Sequence, residues 1–141
     1  MKEEMIHKEL SGIIIGAAIN VLNELKPGLD EKLYENALII ELKHQGHQVD
    51  QQKRFPVHYH GQLIGTLIPD LMVDNLIIVD PKVVTAFDNT HMSQMLGYLA
   101  ITQLDLAILL NFKYARLKWK RIVRSLNSRP SAPSAVKNDL E

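Results

Sequence analysis

The chain has 141 residues, the length of one ordinary domain, and leaves no room for a second. Apolar residues make up 46% of it, enough to offset chain entropy, so disorder of the whole chain is excluded. The absence of cysteine excludes a disulfide framework, a thiolate zinc site and a cysteine nucleophile, and the 16 basic and 16 acidic side chains cancel.

The first part of the chain predicts two helices. Apolar residues recur at three-and-four spacing over residues 5–25, and Pro27-Gly28 ends this pattern. A second helix is expected to begin at Leu29 or Asp30, where acidic residues suit its positive end, and to stop by Gly46.

Period-two alternation then predicts β-strands. Residues 55–67 are expected to form a hairpin that turns at Gly61-Gln62. Two further strands, over 71–73 and 76–79, are expected to be joined by a turn at Asp74-Asn75.

The remaining elements complete a layered domain. A third helix is predicted over residues 90–102, capped by Asp88 or Asn89, and the apolar run 106–110 predicts a central, parallel strand. A last strand follows near residues 117–121. The order predicts an α/β domain with a mixed sheet over residues 1–126 and a disordered tail over residues 127–141.

Charge is distributed unevenly along the chain. No acidic residue lies between Asp105 and Asp139, although eight of the sixteen basic residues fall there. Such a basic end is typical either of a phosphate-bearing partner or of a solvated strand face and tail. No apolar stretch at the start is long enough to span a bilayer, so we expect no membrane contact and a cytoplasmic location.

Charged side chains gather where two predicted strands end. Pro69-Asp70 ends one strand and Asp80-Pro81-Lys82 ends the next, with a tight turn between the strands. Two carboxylates can hold Mg²⁺ or Mn²⁺ for phosphodiester hydrolysis, and a lysine can orient water or stabilise phosphate charge. The same residues also occur in many solvated hairpins.

At this point the chain resembles the bacterial GxxExxY proteins. The signature stands at residues 28–34 as Gly-Leu-Asp-Glu-Lys-Leu-Tyr, and the resemblance extends over residues 8–124. Further matching positions include Gln51-Gln52, Asp70-Leu71-Met72-Val73, Lys82, Gln94 and Tyr98. The family is similar to the PD-(D/E)XK nuclease superfamily, which implies a restriction-endonuclease-like fold and metal-dependent cleavage of DNA or RNA.

The resemblance also implies a role for each matching residue. Asp70 and Asp80 match metal ligands, and Glu31 matches a helix carboxylate that is a further ligand or a base acting through water. Lys82 matches the charge-stabilising lysine. Gln94 and Tyr98, four residues apart on one helix face, match a motif that positions water or phosphate.

The run Asp80-Pro81-Lys82 departs from the usual pattern of the family. Relatives have Glu-x-Lys with an apolar x, and aspartate is one methylene shorter, which matters because Mg²⁺ tolerates little variation in ligand distance. Pro81 removes a backbone donor, but its backbone carbonyl remains, and the resemblance implies that this carbonyl is a metal ligand, as the x position often is in the superfamily.

The basic end is expected to contact the nucleic acid. Alternation predicts that Lys118 and Lys120 share one face with Arg116 and that Trp119 turns into the core. Arg121 and Arg124 are expected to extend the positive surface if the strand bends at its end. A homodimer is left open.

We therefore predict an Mg²⁺- or Mn²⁺-dependent phosphodiesterase, with catalytic residues Glu31, Asp70, Asp80, Lys82, Gln94 and Tyr98. One alternative is a catalytically impaired nuclease-fold protein that binds nucleic acid or a partner protein. Another is an enzyme acting on a small molecule with the same acids. Tyr34 and Tyr98 on apolar helix faces are also typical of core residues with satisfied hydroxyls.

Overall fold

Three helices and seven strands make up the described part of the chain, residues 5–124 of a computed structural model. The helices are α1 (Lys8–Leu25), α2 (Glu31–His44) and α3 (Asn89–Thr102). The strands are β1 (Val49–Gln51), β2 (Phe55–Tyr59), β3 (Gln62–Leu67), β4 (Leu71–Val73), β5 (Ile77–Lys82), β6 (Leu106–Asn111) and β7 (Lys118–Val123). The predicted tail, residues 127–141, lies outside the described residues.

Five strands form one mixed sheet in the order β1-β4-β5-β6-β7. Only β5 and β6 run parallel; the other neighbours are antiparallel. The continuous apolar run of β6 is buried along its whole length, as expected for a strand covered on both faces. The predicted α/β fold with a mixed sheet flanked by helices is thus confirmed.

Helices cover the two faces of this sheet. We call the side packed against α1 and α2 the helix-pair face, and the side packed against α3 the α3 face. The core on the helix-pair face includes Val79 of β5 and Ile108 of β6, whereas their chain neighbours Ile78 and Leu109 pack with α3. Alternation along each strand therefore divides the side chains of the sheet between two cores.

The predicted hairpin forms, but it does not join the main sheet. Strands β2 and β3 pair only with each other, and their turn falls at His60-Gly61, one residue earlier than predicted. Most of their side chains are exposed. The short strand β1, which pairs with β4, was not predicted because its three residues are too few to show a period.

The strand β5 is longer than predicted and includes Asp80, Pro81 and Lys82. Phe112 N–H donates to the Lys82 carbonyl at 2.9 Å, so the backbone groups of Asp80 and Lys82 face β6 and those of Pro81 face the β4 side. The β4–β5 ladder ends at the pair Leu71–Val79, and Pro81 therefore removes no hydrogen bond from it. No helix within residues 5–124 has the length and apolar character needed to cross a membrane.

Candidate active site

Two carboxylates meet where β4 and β5 leave their ladder. Leu71 pairs with Val79, so one step further along the same register sets Asp70 opposite Asp80. Asp80 projects on the α3 face, because Ile78 two residues before it packs with α3. The side chain of Asp70 lies within hydrogen-bonding reach of Asp80. The predicted convergence of the two aspartates is therefore present.

Asp80 is buried, with 5% of the residue exposed. Its Oδ2 lies 3.5 Å from Lys82 Nζ, whereas its buried Oδ1 has no hydrogen-bond partner among the described residues. Burial raises the pKa of Asp80 to about 7, helped by a hydrogen bond with the Asp70 carboxyl group and opposed by the charge of Lys82. A buried carboxylate oxygen without a partner is a strong acceptor for a cation or a proton.

Glu31 reaches the same place from the first turn of α2. The loop before the helix turns at Gly28, whose φ of 112° is one that L side chains rarely adopt. Tyr34 holds this loop: its hydroxyl donates to the Lys26 carbonyl at 2.6 Å and accepts from Leu29 N–H at 3.1 Å. Its ring stacks on Phe112 with a centroid separation of 4.8 Å, so Tyr34 is a core residue that positions the start of α2.

The charges around Glu31 show which side chains it faces. Burial raises the pKa of Glu31; the charge of Lys82 lowers it, that of Asp70 raises it, and the Val83 N–H donates a hydrogen bond that lowers it. Since Asp80 in turn responds to the charge of Glu31, the three predicted acids and the lysine form one electrostatic cluster.

Glu35 also belongs to this cluster, although the sequence gave it no role. Glu35, only 2% exposed, lies one helical turn after Glu31, and its charge contributes to raising the pKa of Glu31. Lys32 Nζ lies 3.2 Å and Gln51 Nε2 2.8 Å from Glu35 Oε2. The four-residue spacing of the two glutamates was the available signal, because it places both on one helix face.

The backbone of Asp70 is fixed by the strand that the periodicity missed. Gln52 N–H, directly after β1, donates to the Asp70 carbonyl at 3.0 Å. Gln52 adopts a φ of 59°, which turns the chain out of β1 at this point. The matching pair Gln51-Gln52 thus contacts the site twice, once through each residue.

The helix α3 brings Gln94 and Tyr98 over the α3 face. Gln94 Nε2 donates to the Tyr98 hydroxyl at 3.1 Å, as their four-residue spacing allows. Burial raises the pKa of Tyr98, and the charges of Asp80 and Asp70 raise it further. Within residues 5–124 the Tyr98 hydroxyl proton has no acceptor, so this residue can offer a donor to the carboxylates.

The cationic side chains of β7 are divided between the two faces. Lys120 and Lys118 stand on the α3 face, in the rows Asp80–Leu109–Lys120 and Lys82–Asn111–Lys118 across three strands. Both lysines are exposed. Arg116 precedes β7 and is exposed as well.

Two predictions about this strand are wrong. Trp119 is 47% exposed rather than in the core, because β7 is an edge strand and a cavity of about 270 Å³ separates Trp119 from Ile19 and Leu22 of α1. Arg121 projects on the helix-pair face, where it donates to Ser11 Oγ and the Ile6 carbonyl, each at 2.8 Å. It therefore anchors the start of α1 and does not extend the positive surface beside the lysines.

The oxygen ligands of this site suit a hard divalent cation that only a few protein groups hold. No group of three or more His, Asp or Glu side chains within residues 5–124 is arranged to hold a metal ion. Mg²⁺ needs no such cage, since it is commonly held by one or two carboxylates with waters and substrate phosphates completing the shell. Asp70, the unpartnered Oδ1 of Asp80 and the Pro81 carbonyl on the β4 side match that requirement.

A mixed sheet with helices on both faces and this acid–lysine cluster at a strand end define a restriction-endonuclease-like domain. The family model of the PD-(D/E)XK nuclease superfamily matches residues 8–122, and the chain belongs to that superfamily. Its nucleases generally use divalent metal ions such as Mg²⁺. None of the curated proteins and none of the solved structures matches the chain.

Proposed function

We propose that this protein is a metal-dependent nuclease that hydrolyses phosphodiester bonds in DNA or RNA. The observation that carries the proposal is the buried Asp80 carboxylate in a member of a nuclease superfamily: one oxygen has no partner within residues 5–124, and the other lies 3.5 Å from Lys82 Nζ. A neutral core would not retain such a group, because an unsatisfied buried carboxylate costs stability. Its retention points to a ligand that the carboxylate binds.

The residues around Asp80 divide the chemistry between them. Asp70, Asp80 and the Pro81 carbonyl are the proposed metal ligands, and Glu31 is a further ligand or a base acting through water. A bound Mg²⁺ or Mn²⁺ supplies charge neutralisation at the phosphate and a lowered pKa of water. Lys82 stabilises the negative charge that develops on the phosphate, because its ammonium group already lies beside the carboxylates.

The remaining site residues orient the substrate. Gln94 donates to the Tyr98 oxygen, and no described residue accepts the Tyr98 proton, so Tyr98 can donate to a phosphate oxygen or to the attacking water. Arg116, Lys118 and Lys120 are the proposed phosphate contacts. The narrower assignment to the GxxExxY branch rests on residues 28–34, whose glycine, glutamate and tyrosine shape the loop, the site and the core respectively.

Calorimetric titration with Mn²⁺ tests the proposal on wild type, Asp70→Ala and Glu24→Gln. Glu24 is an exposed acid of α1 and serves as the matched control for loss of one negative charge. We expect Mn²⁺ binding in wild type and Glu24→Gln and none in Asp70→Ala. The same three proteins are then incubated with plasmid DNA and with RNA, and cleavage is expected wherever Mn²⁺ binds. Equal binding by wild type and Asp70→Ala contradicts the shared site.

A second candidate function is favoured by the run Asp80-Pro81-Lys82. The shorter Asp80 side chain suits a catalytically impaired protein that binds nucleic acid or a partner protein through the same fold. This alternative predicts weak or no Mn²⁺ binding in wild type and no cleavage, with nucleic-acid binding retained in the presence of EDTA. The two functions therefore predict different results for the Mn²⁺ titration of the wild type: binding for the nuclease, and weak or no binding for the impaired protein.

The quaternary structure and location complete the proposal. The hairpin β2–β3 exposes Tyr59, Leu63 and Ile64, each about two-thirds accessible, and this surface is where a homodimer would pack. Sedimentation of wild type against Leu63→Lys measures that contribution. The cytoplasmic location predicted from the sequence accords with a chain that contains no cysteine.

A further inference from the structure

A cavity of about 560 Å³ lies beside the candidate active site, where β6 ends and β7 begins. Its walls come from the loop after β5, from Asn111 at the end of β6 and from the segment that enters β7. Three aromatic residues, Phe87, Tyr114 and Trp119, line it together with Arg116 and Lys118. A space of this size accepts a small organic group such as a nucleotide.

Hydrogen bonds hold the walls of this cavity in place. Asn111 Nδ2 donates to the Val84 carbonyl at 2.8 Å, and Val84 N–H donates back to Asn111 Oδ1 at 3.2 Å. The Tyr114 hydroxyl donates to the Thr85 carbonyl at 3.0 Å. The loop after β5 is thus tied to both β6 and the segment before β7, and the aromatic lining is preformed.

The aromatic surface of the cavity is accessible to a ligand. Trp119 is 47% exposed and Tyr114 is 40% exposed, although both rings are large and largely apolar. Flat exposed rings are the surfaces on which nucleic-acid bases stack.

The charge of the cavity complements a polyanion. Arg116 and Lys118 are exposed, and neither side chain makes an ion pair or hydrogen bond with any residue of the range 5–124. No acidic side chain of the same range lines the cavity. Cations that are not engaged by protein carboxylates are free to contact phosphates.

The position of the cavity connects it to the cluster around Asp80. Asn111, which lines the cavity, is the register partner of Lys82 on the neighbouring parallel strand. Adjacent strands are separated by about 5 Å, so a chain of nucleotides passing Lys82 reaches the cavity within one or two residues.

We propose that this cavity binds an unstacked base of a single-stranded nucleic acid, next to the phosphate that the active site cleaves. The proposal rests on the nuclease function and deepens it by naming the substrate class. Trp119 and Tyr114 supply the stacking faces, while Arg116 and Lys118 contact the adjoining phosphates. In a duplex the faces of the bases are already stacked on their neighbours, so the cavity discriminates against double-stranded substrates.

Trp119 is the single tryptophan of the chain, so its fluorescence reports on a ligand that binds beside β7, in this cavity or in the smaller one against α1. The full-length protein is titrated in EDTA with a short oligothymidylate, a matched oligouridylate and a blunt duplex. We expect quenching by one or both single strands and none by the duplex. Comparison of the oligothymidylate with the oligouridylate distinguishes DNA from RNA as the ligand. Quenching by the duplex at equal concentration, or by none of the three, overturns the proposal.

Substitutions of Trp119 then distinguish base stacking from electrostatic attraction as the source of the binding affinity. Anisotropy of a labelled single strand, again in EDTA, is measured for Trp119→Ala and Trp119→Phe, with Tyr59→Ala as the control for an exposed aromatic outside the cavity. Trp119→Ala is expected to weaken binding about tenfold, and Trp119→Phe to retain most of the affinity. Thermal unfolding of each variant verifies its fold. Equal affinities for wild type and Trp119→Ala contradict the stacking role.

The outcomes also separate this proposal from the nuclease function. Metal-dependent cleavage that needs Asp70 but does not depend on Trp119 refutes the stacking cavity and leaves the nuclease intact. Binding that depends on Trp119 in a protein that neither binds Mn²⁺ nor cleaves refutes the nuclease and leaves a single-strand-binding protein.

Discussion

At the scale of single residues, Asp80 has the most unusual environment in the described chain. Its carboxyl group is buried against Asp70 and Glu31, and among the described residues only Lys82 compensates its charge. Burying a partly compensated charge costs free energy, and the cost falls on the ionised form of the folded state. The stability of the metal-free protein is therefore linked to the protonation of this one residue.

We expect the metal-free protein to lose stability as the pH rises from about 4 to about 7. The pKa of Asp80 is about 7 when folded and 3.8 when free, so between these values the folded chain binds the additional proton. Asp80→Asn removes this dependence and gains a few kcal/mol relative to wild type above pH 7. Thermal melts in EDTA across this range measure the difference, with Asp50→Asn as control. Parallel curves for wild type and Asp80→Asn would contradict the link.

At the scale of elements, the start of α2 depends on a contact from its own fourth residue. Tyr34 stacks on Phe112, at the end of β6, and its hydroxyl joins the Lys26 carbonyl to the Leu29 N–H. The first turn of α2 is thereby fixed against the sheet. Because Glu31 lies in that turn, its position relative to Lys82 and Asp70 follows from the core contact of Tyr34.

Tyr34→Phe tests this coupling while keeping the stacked ring. The change removes two hydrogen bonds and is expected to cost about 1–3 kcal/mol, measured by denaturant unfolding. Mn²⁺ binding through Asp70 and Asp80 is expected to persist, since neither residue contacts Tyr34, whereas cleavage is expected to slow because Glu31 shifts. Tyr114→Phe, which removes one exposed hydroxyl contact, is the control for unfolding. A Tyr34→Phe protein that cleaves at the wild-type rate would show that Glu31 needs no such support.

At the scale of the whole molecule, the two signs of charge are arranged around one face of the sheet. The acids converge at the end of β5, and Lys118 and Lys120 stand two strands away on the same face. The acids alone would repel a nucleic acid. Cations on the same face attract the polyanion and bring its backbone to the acids.

Charge reversal at Lys118 and Lys120 is therefore expected to weaken nucleic-acid binding. Each lost phosphate contact lowers the slope of log affinity against log salt by roughly one, so the slope should flatten by about two units. Reversal of Lys8 and Lys26, at the two ends of α1, is the matched control. Mn²⁺ binding should be the same in all three proteins. An unchanged slope would make the two lysines a solvated face.

Local patterns in the sequence predicted the elements and the acids of the site. The three-and-four spacing in α1 and α2, the Asp88 cap of α3 and the apolar run of β6 depend on neighbours in the chain, and the structure has each of them. Asp70 and Asp80 could be placed near each other because a short turn joins their strands. The resemblance singled out Gln94 and Tyr98, and their helical spacing predicted that they share one face of α3.

Tertiary packing determines which face of a strand is buried, and the alternation of residues in the sequence does not. Alternation shows that Trp119 and Lys118 lie on opposite faces of β7, but only the neighbouring elements determine whether a face is covered, and an edge strand leaves Trp119 exposed. The environments of two other residues also depend on packing. Arg121 donates a hydrogen bond to Ser11 in α1, and Glu35 is buried against Gln51 of β1, a strand that the sequence did not predict. These contacts join residues 16 to 110 positions apart, and their geometry depends on how whole elements pack.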